Sequence, residues 1–174
     1  IVSTGMANLE EVEYAVGILK KNNSGPISLL HCLTQYPAEF RHVNLNAMLT
    51  LAKHFPECGI GFSDHTPGTE ISSAAVALGA TIIEKHLTLD KSMAGPDQSA
   101  SLDPQEFKNL VRSIRNVETA MGNGVKAPAD PELANIRIVR KSLMLVKDAK
   151  AGTVITRSML TAKRPGTGIP AREI

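Results

Sequence analysis

Residues 59–86 read GIGFSDHTPGTEISSAAVALGATIIEKH. Two short apolar runs, Gly59-Ile60-Gly61-Phe62 and Thr81-Ile82-Ile83, each lead into a polar triplet, Ser63-Asp64-His65 and Glu84-Lys85-His86. Between them, Thr69 and Glu70 open a small-residue segment, ISSAAVAL, that Gly79 ends. A short apolar run, a helical segment and a second short apolar run make a βαβ unit, whose strands pair in parallel with the helix packed across them. The same alternation extends outward. Ile1-Val2 is the tail of a strand. Asn8 caps a helix with Leu9, Val12, Val16 and Leu19 on one face and Glu10 and Glu11 at its positive end. Residues 27–32 (ISLLHC) form the next strand, and residues 44–55 a helix that turns Leu45, Met48, Leu49 and Ala52 inward. Beyond His86 a long helix over 104–121 is predicted, with Asp103 as N-cap, Glu106 completing a capping box and Gly122 as its stop.

Strands separated by helices imply a parallel sheet with right-handed crossovers. Ser3-Thr4-Gly5, His31-Cys32-Leu33-Thr34, Ser63-Asp64-His65 and Glu84-Lys85-His86 each stand at the carboxyl end of a strand, where parallel α/β folds place their ligands. No GxGxxG turn marks a dinucleotide crevice, so half of an eightfold TIM (β/α)8 barrel fits better than an open sheet. The half-barrel occupies residues 1–121. Residues 122–140 are rich in Gly, Pro, Asn, Asp and Ala, with Pro128 and Pro131 three apart, and read as a linker. Residues 141–174 then open a small β-rich module: a strand at 142–146, a charged turn at 148–152, a short extended piece at 154–156 and a strand at 160–163.

Composition removes several function classes. The chain has 174 residues, 19 basic against 17 acidic, and a net charge of +2. That balance is too even for a protein that neutralises phosphates along a duplex. With four Phe, two Tyr and no Trp, it also lacks the aromatics for stacking single-stranded bases. No nucleic-acid partner is expected. The longest apolar stretch, 74–83, falls far short of a bilayer span, and the first residues have no signal-peptide pattern, so no membrane partner is expected either. Cys32 and Cys58 form neither a CxxC pair nor a disulfide framework, which points to a reducing, cytoplasmic setting. A chain beginning Ile1-Val2-Ser3 without Met suggests a start inside a longer polypeptide.

The two triplets carry the chemistry. Neighbouring parallel strand ends lie within side-chain reach, so His65 and His86 suit one divalent metal with positions open for substrate. Each histidine alone is as well explained by a hydrogen bond to a loop carbonyl. Glu84 is compatible with a general base, a metal ligand or simple pairing with Lys85. Asp64 suits either orienting a ligating imidazole or capping the following turn. Ser3, Thr4 and Ser63, near N–H groups at loop and helix starts, suit an anion such as phosphate. Asp97, in Gly95-Pro96-Asp97, is placed to lean over the site or to make an ordinary turn. Tyr36 offers a phenol to a sugar hydroxyl or packs. Cys32 has no base beside it in sequence, and His31 faces the other side of its strand, so a buried small hydrophobe is the better reading of that thiol.

Taken together, STGMA at 3–7, LLHC at 29–32, YPA at 36–38, VNLNAM at 43–48, GFSDHT at 61–66, AVALGATIIEKHLTLDK at 75–91, GPDQSASL at 95–102 and KRPGTGI at 163–169 resemble the sialic acid synthase family. That family, the N-acetylneuraminate synthases, includes legionaminic and pseudaminic acid synthases. The resemblance covers essentially the whole chain and implies the carboxyl-terminal half of the family's barrel joined to the start of its antifreeze-like (SAF) domain. It implies condensation of phosphoenolpyruvate with an N-acylated hexosamine such as N-acetylmannosamine, giving a nine-carbon keto acid and phosphate. Residue by residue, it implies that His65 and His86 hold Mn2+ or Mg2+, that Glu84 acts near the reacting carbons, and that Ser3 and Ser63 bind phosphate. Tyr36 and Asp97 would hold the amino sugar. Arg164 would reach the barrel of the other subunit in a domain-swapped homodimer. Thr34 stands in the substrate site where better-known members carry Asn or Ser, and Arg140 where they carry an aromatic residue. LLHC rather than LLKC leans toward the neuraminic or legionaminic branch. The family's first four strands have no counterpart here, so the chain alone is expected to be inactive, a part of a parent of about 340 residues whose barrel takes roughly 250. The competing readings are a non-catalytic carbohydrate-binding module and a phosphosugar isomerase barrel. The latter calls for a Gly-rich phosphate loop where this chain has SDHT and EKHLT.

Overall fold

The computed structural model describes all 174 residues and divides into two compact units, Ile1–Asn123 and Gly124–Ile174. In the first unit the elements run β1 (Val2–Ser3), α1 (Leu9–Lys21), β2 (Ser28–Cys32), α2 (Ala47–His54), β3 (Gly59–Asp64), α3 (Glu70–Ala77), β4 (Ile83–Lys85) and α4 (Pro104–Met121). The four strands are parallel and lie side by side in chain order, β1-β2-β3-β4. The register pairs Ser3 with Leu30, Cys32 with Ser63, Ser63 with Glu84 and Asp64 with Lys85. All four carboxyl ends therefore finish on one edge.

Local chemistry explains the helices that set this spacing. Asn8 Oδ1 accepts from the Glu11 N–H at 2.9 Å while the Glu11 carboxylate accepts from the Asn8 N–H at 2.8 Å. Asp103 and Glu106 make the same reciprocal pair at the start of α4, with Pro104 in the first turn where its missing N–H costs nothing. Each cap of this kind contributes about 1 kcal/mol. The α2 helix begins later than the apolar pattern suggests, because Asn44 takes a positive φ of 49° and separates it from a single turn at Phe40–His42.

Alternation along the strands sorts side chains between two faces. Leu29, Ile60 and Phe62 join Val12, Val16, Met48, Leu51, Phe55 and Ala75 in the core between sheet and helices. Leu29 and Phe62 are fully buried, each contributing about 1.5–3 kcal/mol relative to exposure. His31 belongs to this side, its ring beside Phe62 and its Nε2 2.7 Å from the Val43 carbonyl. The opposite face carries Leu30, Cys32, Gly61, Ser63 and Glu84. β4 starts two residues later than the apolar run, since the Thr81 N–H and hydroxyl both donate to the Ile60 carbonyl, at 2.8 and 3.0 Å, before the ladder begins.

In the second unit, the stretch expected to be a linker over 122–140 contains a helix, α5 (Asp130–Val139), none of whose residues is buried. Pro131 stands in its first turn, where proline is favoured, and the Glu132 carboxylate accepts from the Ala129 N–H at 2.8 Å. The Gly- and Pro-rich composition that suggests a linker thus hides a helix start within it. Next, β5 (Ser142–Leu145) pairs antiparallel with β6 (Leu160–Lys163), and the piece at 154–156 forms no strand. Ser142 Oγ accepts from the Gly168 N–H at 2.9 Å, closing the segment after β6 over the ribbon. No helix of the chain is long and apolar enough to cross a membrane.

Candidate active site at the strand ends

Because β3 and β4 are in register, residues two apart return to the same face. Ser63 and Glu84 are paired neighbours, and the buried Ser63 hydroxyl donates to Glu84 Oε1 at 2.7 Å. Past the last ladder pair, His65 and His86 return to the side of Ser63 and Glu84, with ring centroids 5.1 Å apart. His65 Nδ1 lies 2.8 Å from the Leu33 carbonyl, which only accepts, so the proton belongs on Nδ1 and the Nε2 lone pair is left free.

Tyr36 completes a cluster of three rings, its centroid 4.1 Å from that of His65 and 5.4 Å from that of His86. The Ala38 N–H donates to the His65 carbonyl at 2.8 Å, which clips the loop after β2 onto the end of β3 and brings Tyr36 over the imidazoles. Burial, then the nearby Cys32, Asp97 and Glu84, pushes the Tyr36 phenol above its ordinary value, so it stays a neutral donor at physiological pH. On the other flank Asp97 Oδ2 stands 3.9 Å from His86 Nδ1. The Asp97 carbonyl is pinned by the Ser101 N–H and hydroxyl at 3.0 and 2.7 Å, and the His86 carbonyl accepts from the Leu102 N–H at 2.9 Å. The site is open: Tyr36 and the Asp97 side chain are each nearly half exposed, and the His86 side chain is 35% exposed.

Six of the residues singled out from sequence thus stand together: Ser63, Glu84, His65, His86, Tyr36 and Asp97. Thr34 lies just past the adjoining end of β2, where a Cβ on Gly5 would come within 2.3 Å of Thr34 Oγ1, so a side chain at position 5 would displace the Thr34 hydroxyl. Ser3 ends β1 exposed, its Oγ 3.5 Å from the Gly5 N–H, while Thr4 is buried and donates to the Leu30 carbonyl. Arg164 belongs to the second unit, where its Nε donates to the Val139 carbonyl at 2.9 Å.

Two relationships escaped the sequence reading. Lys85 does not pair with Glu84 but with Asp64, at 3.0 Å on the helix side of the sheet. Alternation in a shared register is the signal that predicts this, since adjacent residues cannot share a face. Asp64 accordingly caps the turn after β3, accepting from the Thr66 N–H and hydroxyl at 2.8 and 2.7 Å. The other is Cys32, whose Sγ is 3.9 Å from His65 Nδ1. The Leu33 carbonyl already holds that nitrogen's proton, so His65 is no base for the thiol.

As metal donors the site offers two imidazoles, and no group of three His, Cys, Asp or Glu residues converges on an ion site. The free Nε2 of His65 and the partly exposed His86 imidazole fit two of the ligands of a catalytic divalent ion whose other positions fall to water or substrate.

A family model described as the NeuB family matches residues 1–126. Over 173 residues the chain is 54% identical to the N,N'-diacetyllegionaminic acid synthase of Campylobacter jejuni, a match covering 98% of this chain and 52% of that protein. It is 48% identical over 178 aligned positions to the synthase of the same name from Legionella pneumophila, covering 100% of this chain and 50% of that one. Among solved structures, the N-acetylneuraminic acid (sialic acid) synthetase of Leptospira borgpetersenii, in complex with citrate, superposes with a TM-score of 0.69 at 40% identity. That superposition covers 78% of this chain and 47% of the synthetase. The chain spans about half the length of the curated relatives it matches.

Proposed function

The chain belongs to the NeuB family, and on that premise we propose that its protein condenses phosphoenolpyruvate with an N-acylated hexosamine to give a nine-carbon keto acid and phosphate. The observation that carries this reading is the convergence of His65, His86, Tyr36, Asp97 and the Ser63–Glu84 pair at the carboxyl ends of adjacent parallel strands. A binding module has no need of two open imidazoles beside a carboxylate fixed by a buried hydroxyl. Strands laid down in chain order without reversal support a carboxyl-terminal half-barrel, with the second unit as the start of an antifreeze-like domain. This chain then supplies half of the synthase site.

In the reaction C3 of phosphoenolpyruvate attacks the sugar aldehyde, water adds at C2 and the resulting tetrahedral centre expels phosphate. Tyr36 donates a hydrogen bond to the amino sugar and Asp97 accepts one from it, each presented on a loop tied to the sheet. Ser3 donates to a phosphate oxygen, Ser63 turns its one hydroxyl proton from Glu84 to phosphate when the substrate binds, and Thr34 closes the same side of the site. Glu84, relieved of the Ser63 bond once that hydroxyl serves phosphate, takes the proton of the water that adds at C2. A Mn2+ or Mg2+ ion on His65 and His86 would polarise the aldehyde oxygen when bound. Arg164 reaches the site of the partner in a domain-swapped homodimer, and the reaction is cytoplasmic. Two diacetyllegionaminic acid synthases among the relatives favour a diacetamido sugar over N-acetylmannosamine as acceptor.

The test uses the whole polypeptide that carries this chain. Phosphate release from phosphoenolpyruvate is expected to require a 2,4-diacetamido sugar and Mn2+, and to vanish in His86→Ala. Release without sugar, or none with any diacetamido or monoacetamido hexosamine, overturns the reading in favour of a binding module.

A further inference from the structure

The last ladder pair between β3 and β4 is Asp64–Lys85, one residue before the two histidines. Beyond it the strands part, since the His65 carbonyl is bonded by the loop after β2 and the His86 carbonyl by the loop before α4. What spans the gap is the Lys85 side chain. Its Nζ is 3.0 Å from Asp64 Oδ2 and 2.5 Å from the Thr66 carbonyl, so a group rooted on β4 grips the end of β3 and the turn after it, on both sides of His65. Asp64 is saturated: Oδ1 accepts from the Thr66 N–H and hydroxyl, and Oδ2 from Lys85 and from Ser72 Oγ on α3 at 2.5 Å. Lys85 and Asp64 side chains are 2% and 0% exposed, so neither touches substrate.

We infer that the buried Asp64–Lys85 pair is a positioning device that fixes the separation of the His65 and His86 imidazoles, an inference that rests on the synthase reading for what those imidazoles hold. Burial argues for this role over a stabilising one. A buried ion pair is commonly replaceable by apolar side chains without loss of stability, and here the bonds of Lys85 run to two fixed acceptors, Asp64 Oδ2 and the Thr66 carbonyl. Lys85 bonds to the main chain flanking one imidazole and is covalently adjacent to the other. Any slippage of β4 against β3 therefore moves both rings.

The experiment uses the whole polypeptide and Mn2+ as the probe, titrated by electron paramagnetic resonance. The double variant Asp64→Asn/Lys85→Met, which removes the strap without stranding a charge, is expected to melt near wild type but bind Mn2+ about 10–100-fold more weakly. Ser72→Ala removes a bond to the same carboxylate that does not cross to β4, and is expected to change Mn2+ affinity less than about two-fold even where it lowers the melting temperature. Wild-type affinity in the double variant, or equal loss in both variants, overturns the inference. If the wild type binds no Mn2+, the metal reading fails and histidine NMR decides the positioning role. The ring-proton shifts of His65 and His86, each set in part by the other ring 5.1 Å away, are then expected to move in the double variant and not in Ser72→Ala, unchanged shifts being the refuting result. Should the double variant not fold, the equally uncharged Asp64→Asn/Lys85→Leu is carried through the same measurements with the same criteria.

Discussion

Replacing Gly61 by alanine sets two physical expectations of opposite sign against each other. Glycine inside a strand is ordinarily a weakness, and alanine there stabilises by roughly 0.5–1 kcal/mol through lost unfolded-state freedom. At this position, however, a Cβ would stand 2.5 Å from the Ile82 carbonyl oxygen, 2.5 Å from Leu30 Cδ2 and 2.9 Å from Ile82 Cβ. Favourable carbon contacts lie at about 3.5–4.0 Å, so β4 must retreat by about 1 Å. The Ile82 carbonyl is also the acceptor of the Phe62 N–H at 2.9 Å, and the retreat stretches that bond. Overpacking costs about 1–3 kcal/mol and a weakened buried hydrogen bond about 1 kcal/mol, which outweighs the entropic gain. Gly61→Ala should therefore destabilise by about 1–3 kcal/mol, moving the urea midpoint of the whole polypeptide down by about 1 M at an m-value of 1–3 kcal/mol/M. Two residues further along, the Ser63–Glu84 bond should loosen, lowering phosphate release at saturating substrate. A midpoint unchanged or raised would show that the strands give way freely, and would refute the argument that close approach demands glycine here.

Lys85→Met strands the Asp64 carboxylate in the core and should cost about 3–5 kcal/mol, most of it recovered when Asp64→Asn is added; denaturant midpoints of the single and double variants check this. The Tyr36 phenol, raised by burial and its acidic neighbours, should ionise above the ordinary pH 10, seen in the phenolate absorbance difference between wild type and Tyr36→Phe. Lys91, then the Asp103 N–H, hold the Glu106 carboxyl below its ordinary value of 4.5. That stabilisation is complete above pH 4.5 and disappears as the pH falls through the lowered value, so Lys91→Ala should flatten the acid limb of the stability curve below pH 4.5.

How much of the fold was legible depended on whether local chemistry and tertiary packing agreed. At Asn8 and Asp103 the capping residues sit where helices begin in isolation: the Asp103–Glu106 box forms as its spacing suggests, and Asn8 caps as expected while Glu11 adds a second box. At 122–140 they disagreed. Proline content reads as a break only if the prolines fall inside a helix, yet Pro131 falls in the first turn of α5, where a fixed φ helps it start. The early part of α2 was lost for the converse reason: the apolar spacing at Leu45 continues a helical pattern that the positive φ of Asn44 interrupts.

The site was legible to the extent that it obeys the two-residue period of a strand. Ser63 with His65 and Glu84 with His86 share a face by alternation alone, and parallel register sets one pair beside the other, which is why two short triplets sufficed to place an imidazole pair. The same rule, followed one residue further, places Asp64 and Lys85 together on the far side, a pairing absent from the alternatives that the sequence left open for Glu84 and Asp64. Tyr36 and Asp97 obey no period. They arrive on loops whose course is set by main-chain bonds from Ala38 to His65 and from Ser101 to Asp97, between residues more than twenty apart in the first case. A strand writes its geometry into adjacent residues, while a loop takes its geometry from whatever distant carbonyl it meets, so only the assembled sheet shows that Tyr36 lies over both histidines.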